Sequence, residues 1–405
     1  MMPDSVEILI VGGGLVGTSL ALALDATGID VALVEAAPPR APSLPAAEDN
    51  DRNLVLARAS VNALRALGVW PHLAAMAGTI RRLEVSRAGE FGRFRVAAAD
   101  AGVDALGRVV PGRVLAAALE ARLHECRHVQ RLAPARLLSL APVATGWRAV
   151  VLADGAECTL DARLVVGADG SHSLVRAQIG IAARKHDYAQ SLFVCTVGCG
   201  REVPDCAFER FTDAGPVALL PLPHGRRGLV LTVTADQHEA VAVMDDAAFV
   251  ALAQQRCGWK LGALTRPGKR FAHRIQRVLA DALTAPRAVL VGNAAQTVHP
   301  IGAQGFNLGL RDALTLAELL DGAPDPGAGA LLGAYAARRR PDRDGVVAFS
   351  HGLIALGCLA QPVLSPLRSL ALLALDRMPP LRHAVARHGM GFRGLPPAAV
   401  LDAGP

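Results

Sequence analysis

A chain of 405 residues with 52% hydrophobic residues can bury its own core, as two domains or as one large discontinuous one. The net charge of +6 comes from arginines spread along the chain, and aromatics at 4% are too few to alternate with them as stacking platforms, which argues against nucleic acid as a partner. Cysteines 126, 158, 195, 199, 206, 257 and 358 are scattered, form no C-x-x-C and have no histidine at metal spacing, a pattern of reduced thiols in a cytoplasmic protein.

In chain order the first element is "VEILIV", a buried parallel strand. Asp4 and Glu7 stand where a secretory signal would carry lysine or arginine. "GGGLVG", a helical segment "TSLALALDATG" and a second strand "DVALVE" follow. Gly12, Gly14 and Gly17 supply a G-x-G-x-x-G: the first allows the tight turn, the second admits a pyrophosphate, the third lets helix and strand pack closely. Glu35 ends the second strand, where a carboxylate accepts hydrogen bonds from ribose hydroxyls. The motif indicates a dinucleotide without separating NAD from FAD.

Near the middle, "RLVVGADGSHSLVR" (163–176) is again a strand ending in a Gly-rich acidic turn that opens a helix. Asp169 can accept from hydroxyls or cap the turn, and Ser173 sits where the helix begins. "FVCTVGC" and "GLVLTVTAD" have strand composition and suit a sheet over residues 180–280. Later, "RAVLV" leads into "GNAAQTVHPIGAQGFNLGLRD" and then into "ALTLAELL", which has helical spacing. Gly292, Gly302, Gly305 and Gly309 let the backbone approach a ligand closely, and a helix starting near Gly305 aims free N–H groups at negative charge. Beyond residue 345 come "GLIALGCLA" and "SLALLALDRMPPL", shorter than the roughly 18 to 20 residues of a bilayer span. They are helices that cap the domain or touch a membrane face.

The order of GxGxxG, GADGxxSxVR and G-N-A-A…H-P…Q-G-F-N-L-G resembles the single-component FAD-dependent aromatic hydroxylases of the p-hydroxybenzoate hydroxylase type, over roughly residues 5–345. The late motif, with "DRNLVLARASVNALRALGVW", "HDYAQSLFV" and "ERFTDAGPVALLPLP", resembles the ubiquinone-biosynthesis hydroxylases, most of all those acting on 2-polyprenyl-6-methoxyphenol. The resemblance implies an α/β fold: a Rossmann-like FAD-binding domain (1–80, 107–179, 281–345), an inserted β-sheet substrate domain (81–106, 180–280) and a helical C-terminal tail (346–405). It implies bound FAD, NAD(P)H as electron donor, and O2 with a polyprenylated phenol as substrates. Peripheral contact with the inner face of the membrane and assembly with other ubiquinone-biosynthesis proteins are further expectations.

By the same resemblance, Gly12, Gly14, Gly17, Glu35, Arg52, Arg113, Asp169, Gly292, Asn293, Gly302, Gln304, Gly305 and Asn307 lie along the FAD, and the backbone from Gly302 to Asn307 approaches the flavin's pyrimidine edge. Asn293 and Gln296 stand where the broad family has Asp and often His; Asn293 keeps the hydrogen-bonding capacity and loses the charge. Pro300 is expected to line the flavin face. Arg52, His186, Tyr188, Glu209 and His299 are candidates for activating the phenol. Two readings remain beside this one: a hydroxylase of a small soluble aromatic, and a catalytically silent flavin-binding subunit. A flavin halogenase is disfavoured because W-x-W-x-I-P is absent.

Overall fold

The computed structural model describes residues 3–39, 53–358 and 361–401. Its first sheet is built on strand Ser5–Val11, whose Ile8, Leu9 and Ile10 are fully buried, as a parallel strand covered on both faces requires. This strand pairs in parallel with Val31–Val34 on one side and with Ala156–Gly167 on the other. Val129–Leu132 and Ala288–Leu290 extend the parallel set at its two ends. Ala156–Gly167 also begins an antiparallel ribbon through Gly146–Ala153 to Ala135–Val143. Helix Leu15–Asp25 packs against helices Gly112–Leu123 and Gln304–Leu320 over this sheet. The result is the doubly wound α/β architecture expected for dinucleotide binding.

A second, nine-stranded sheet contains Arg82–Arg87, Arg93–Ala97 and the strands from Ala183 to Ala280. Arg82–Arg87 reaches it by pairing in parallel with Cys206–Thr212 across a long sequence separation. Alternation sorts its residues by face. Phe193, Cys195, Leu219 and Leu229 point outward and pack with Phe249 and Ala253 of helix Asp246–Cys257. Ala207, Ala218, Leu220 and Val230 point inward, against Val55, Ile80 and Val109 of a small sheet formed by Asn53–Ala57, Gly78–Ile80 and Gly107–Pro111.

The first sheet and the second are also joined by chain that the sequence reading divided differently. The short strand Gln296–Thr297, within the late Gly-rich loop, pairs with Phe271–Ala280 at an edge of the second sheet. Helix Gly329–Gly357 runs unbroken through the expected boundary at 345, because its buried Arg339, Asp342, Arg343 and Val346 are held on one continuous stripe. Two further helices, Ser365–Arg377 and Pro379–Gly389, fold back so that Ala386 and Met390 pack on Phe94 and Val96. No described helix is long and apolar enough to cross a membrane.

Candidate active site

Three Gly-rich loops leave the C-terminal ends of three neighbouring parallel strands, Ser5–Val11, Ala156–Gly167 and Ala288–Leu290, where ligands of such sheets bind. The loops touch. A Cβ on Gly12 (φ +105°) would lie 2.5 Å from the Ala168 carbonyl, and one on Gly17 would lie 1.9 Å from the Gly12 carbonyl. A Cβ on Gly14 would meet nothing within 4 Å, so this residue faces open space at the start of helix Leu15–Asp25, which has no side-chain cap. Glu35 accepts a hydrogen bond from the Gly13 N–H at 2.7 Å and one from the Ala37 N–H at 2.8 Å. It is therefore fixed beside the glycine turn.

Asp169 shapes the middle loop by accepting from the Ser173 hydroxyl and from the Val175 N–H, while Ser173 caps the helix by accepting from the Arg176 N–H at 2.9 Å. The buried Arg176 then ties this loop to the late one, donating to the Ala294 carbonyl at 2.8 Å and to Ser171 at 3.0 Å. Ser171 and Thr297 share a hydrogen bond at 2.7 Å. Gly292 and Gly309 are both packed against Val16 of the first helix. Asn293 is exposed at the surface of this cleft, next to the buried Gly292. Arg113 lies in the first turn of helix Gly112–Leu123, partly buried, and Arg52 falls outside the described residues.

The late loop ends in an unusual backbone. Gly302 (φ +65°) and Ala303 (φ +50°) are both left-handed, and Ala303 caps helix Gln304–Leu320 without a side-chain hydrogen bond. A non-glycine residue pays for that conformation and keeps it only where its surroundings impose it. Here Asn307 imposes it: its amide donates to the Ala303 carbonyl at 2.7 Å and to Val55 at 2.9 Å, and its oxygen accepts from the Ala57 N–H at 2.9 Å. Its side chain is thus committed to protein, where it holds the helix start. Gly305 faces open space, and the buried Gln304 Oε1 has no protein donor among the described residues although its Nε2 donates to Gly302. A 17-residue helix therefore presents free N–H groups and a waiting acceptor to one place.

Behind the loop lies a buried ionic network that the sequence reading did not find. Asp312 accepts from the Gly292 N–H at 3.1 Å, from the Gln296 amide, and from Arg339 Nε at 2.7 Å. Arg339 also donates to Asp342, which pairs with Arg311 through two hydrogen bonds, and Tyr335 donates to the Leu290 carbonyl. Two arginines and two aspartates thus cancel in charge. They lock the strand end, the late loop and two helices together. The visible signal was the "RD" at 311–312, but its place inside a helical pattern did not distinguish a network from a surface pair.

Beside this loop, Tyr188 stacks edge-on with His186 and with His299, each at 4.8 Å between ring centres, and His351 joins at 6.0 Å from His186. Burial holds the His299 imidazole down at about 4. Its Nδ1 accepts from the Ile301 N–H, and its Nε2 faces the Gln190 Oε1 at 3.2 Å. With both ring nitrogens committed, His299 supports the bend at Pro300 rather than serving as a free base. Burial raises the Tyr188 hydroxyl, opposed by a hydrogen bond with Arg277.

The open space at Gly14 and Gly305, the close approaches at Gly12 and Gly17, and the orphan acceptor on Gln304 fit an extended dinucleotide with a planar head. A family model described as an FAD binding domain matches residues 5–350. The chain belongs to that family. It is a flavin-dependent monooxygenase with FAD as its bound cofactor and NAD(P)H as its electron donor. Ubiquinone hydroxylase UbiL of Rhodospirillum rubrum is 38% identical, the alignment covering 96% of this chain and 91% of that one. The 3-demethoxyubiquinol 3-hydroxylase of Escherichia coli is 32% identical over 97% of this chain and 100% of its own. Among solved structures, p-nitrophenol 4-monooxygenase of Pseudomonas putida superposes with a TM-score of 0.80 at 17% identity, covering 97% of this chain and 99% of that one, a likeness of fold.

Proposed function

We propose that this flavin-dependent hydroxylase acts on the ring of a polyprenylated phenol, of the 2-polyprenyl-6-methoxyphenol type, in ubiquinone biosynthesis. The observation that carries the substrate class is the inward face of the second sheet. One row runs from Glu209 through Ala218 and Val230 to Val194, and the next carries Phe211, Pro216, Thr232 and Leu192. Apart from Glu209 and Thr232 these rows offer an apolar wall, and the cation that the register adds to them, Arg87 opposite Phe211, is engaged by Asp213 and the Gly357 carbonyl, so they favour a neutral phenol over a hydroxybenzoate. The names of the relatives, ubiquinone hydroxylase and 3-demethoxyubiquinol 3-hydroxylase, support the same class.

FAD, once reduced by NAD(P)H, supplies the activation of O2 and the transfer of one oxygen atom to the ring. The protein's own work is different. The residues proposed to hold the cofactor are Gly12, Gly14, Gly17, Glu35, Arg113, Asp169, Gly292, Asn293, Gly302, Gln304, Gly305 and Asn307, acting through backbone at the glycines and through positioning at Asp169 and Asn307. The N–H groups at the start of helix Gln304–Leu320 stabilise negative charge gathered near them, by about 0.3 to 2 kcal/mol for such a terminus. The apolar sheet excludes water and orients the ring.

A polyprenyl tail partitions into lipid, and the C-terminal region offers a face to meet it. Val363, Leu367, Leu370 and Met378, spaced as one side of a helical run, are exposed, as is Phe91 beside them. Arg377 and Arg387 are exposed on the same pair of helices, suited to acidic headgroups. Moving the tail from lipid to an apolar tunnel is nearly neutral, so specificity resides in the ring. The reading is tested by comparing turnover of 2-prenyl-6-methoxyphenols of increasing tail length, at equal loading in vesicles, with that of free hydroxybenzoate. Similar turnover across tails and none on hydroxybenzoate is expected; preference for hydroxybenzoate would overturn it.

A further inference from the structure

Glu209 is a carboxylic acid in a place that packing does not require. It lies on strand Cys206–Thr212 with Ala218 and Val85 as its cross-strand neighbours, on the side of the sheet that turns toward Val55 and Val109. Asn307 anchors its own amide on Val55, so the wall that carries Glu209 adjoins the late loop. Helix Gly329–Gly357 closes the space: Phe349 lies beside Gly302, and Gly357 packs on the Phe211 ring. Among the described residues no protein group hydrogen-bonds or ion-pairs with the Glu209 carboxyl. It nevertheless keeps some accessible surface, as a side chain does at the floor of a cleft. A partly buried acid without a protein partner is costly and calls for an explanation.

The charged and titratable groups around it do not supply one. Cys358, just past the helix, is near enough to feel its charge, and burial holds that thiol up at about 11, hence uncharged. Arg87 is engaged by Asp213, by the buried Glu90 side chain at 3.5 Å and by the Gly357 carbonyl. Glu84 and Arg108 stand on the opposite faces of their strands, with Lys260 and with Asp104 respectively. Burial alone pushes the Glu209 carboxyl up to about 7, where a carboxylate is both available and basic enough to accept a proton.

Resting on the phenol-hydroxylase reading, we propose that Glu209 is a catalytic residue that accepts the phenol proton as the ring is oxygenated. The overall reaction is phenol + O2 + NAD(P)H + H+ giving hydroxylated phenol + NAD(P)+ + H2O. As the ring carbon bonds the incoming oxygen, the phenolic O–H bond breaks and its electron pair moves into the ring, leaving a carbonyl. The proton goes to a Glu209 carboxylate oxygen. The oxygenated carbon then releases its hydrogen as a proton, which goes to the second oxygen atom as that atom leaves in water; as the ring becomes aromatic again, Glu209 returns its own proton to the carbonyl oxygen and is ready for another turnover.

The test uses the FAD-loaded full chain and its Glu209→Gln variant, which keeps the size and an acceptor oxygen. The probes are a short-chain 2-prenyl-6-methoxyphenol and ring-fluorinated analogues whose phenols are more acidic. Wild type should lose ring hydroxylation on the acid side with a midpoint near 7. The variant should be slower by roughly a hundredfold, with FAD binding and KM for the phenol little changed, and the acid limb gone. Its deficit should shrink as the phenol becomes more acidic. An infrared titration of the FAD-loaded proteins should show a protonated-carboxyl band that disappears through the same pH range and is absent from the variant. A variant as fast as wild type, an equal deficit on every phenol, or no such band would overturn the role of Glu209 while leaving the substrate reading intact. Failure of wild type to hydroxylate any of these phenols would overturn the substrate reading and this inference together.

Discussion

Gly14 and Gly17 stand three residues apart and ask opposite things of a substitution. At Gly17 a Cβ would collide with the Gly12 carbonyl at 1.9 Å, so Gly17→Ala should destabilise the fold by about 3 kcal/mol or more, seen as a lower denaturation midpoint without FAD. At Gly14 the backbone is extended and nothing lies in the way, so Gly14→Val should leave the apoprotein's midpoint unchanged and weaken FAD at least tenfold, about 1.4 kcal/mol, by flavin fluorescence titration. If both variants behaved alike, the open space at Gly14 would not be the dinucleotide site. Glu209 gives a pH-dependent counterpart. Its folded value near 7 is raised above the usual 4.5, so the folded state holds the proton more tightly than the unfolded chain does. Its penalty is absent below about 4.5, grows as pH rises through 7, and levels off on the order of 3 kcal/mol. Glu209→Gln should therefore raise the denaturant midpoint at pH 8 and hardly change it at pH 4.5. These roles were unequally legible. The glycine spacing was plain in the sequence because a backbone approach needs glycine wherever the rest of the chain lies. Glu209 could only be one candidate among several, since its value depends on Ala218, Val85 and Cys358, which meet it only in the folded sheet.

Elements that end near one another share the burden of shaping the late loop. The Asp312, Arg339, Asp342 and Arg311 network spans two helices and fixes the Gly292 N–H and the Gln296 amide. Removing one partner leaves a buried charge uncompensated, so Arg339→Met should cost about 3 to 5 kcal/mol in stability. It should also release the loop, which would appear as faster proteolysis near residues 292–303 and weaker FAD binding. A variant with full stability and unchanged protection would show that the network does not hold the loop. The strands and helices of the first sheet were legible because buried parallel strands are continuous apolar runs. The division at 345 was not: composition changes there, yet the helix continues, because Arg339, Asp342 and Val346 are buried along one stripe and Pro341 alone does not end it. Nor could the reading foresee that Gln296–Thr297 joins the second sheet, a pairing set by tertiary contact with Phe271–Ala280.

For the molecule as a whole, the proposed reading assigns the flavin cleft and the exposed apolar helices to the two unlike ends of one substrate. If Val363, Leu367 and Leu370 meet lipid, Leu367→Asp with Leu370→Asp should lower co-sedimentation with anionic vesicles tenfold or more, given roughly 1.5 to 3 kcal/mol for burying each leucine fully. Turnover of a short-chain, water-soluble phenol should be untouched. Equal loss of both activities would place these residues in the fold and not at a membrane. The apolar segments were visible in the sequence, but amphipathic cap and membrane face were not separable there, since the difference lies in which leucines the neighbouring strand Arg93–Ala97 leaves uncovered. The central claim, that this flavoprotein inserts oxygen into the ring of a prenylated phenol, is tested most directly by supplying FAD-loaded protein with NAD(P)H, isotopically labelled O2 and short-chain 2-prenyl-6-methoxyphenol, and weighing the product. One labelled oxygen atom in the ring is the predicted result; NAD(P)H consumed with only peroxide formed, or flavin that NAD(P)H does not reduce, would contradict it.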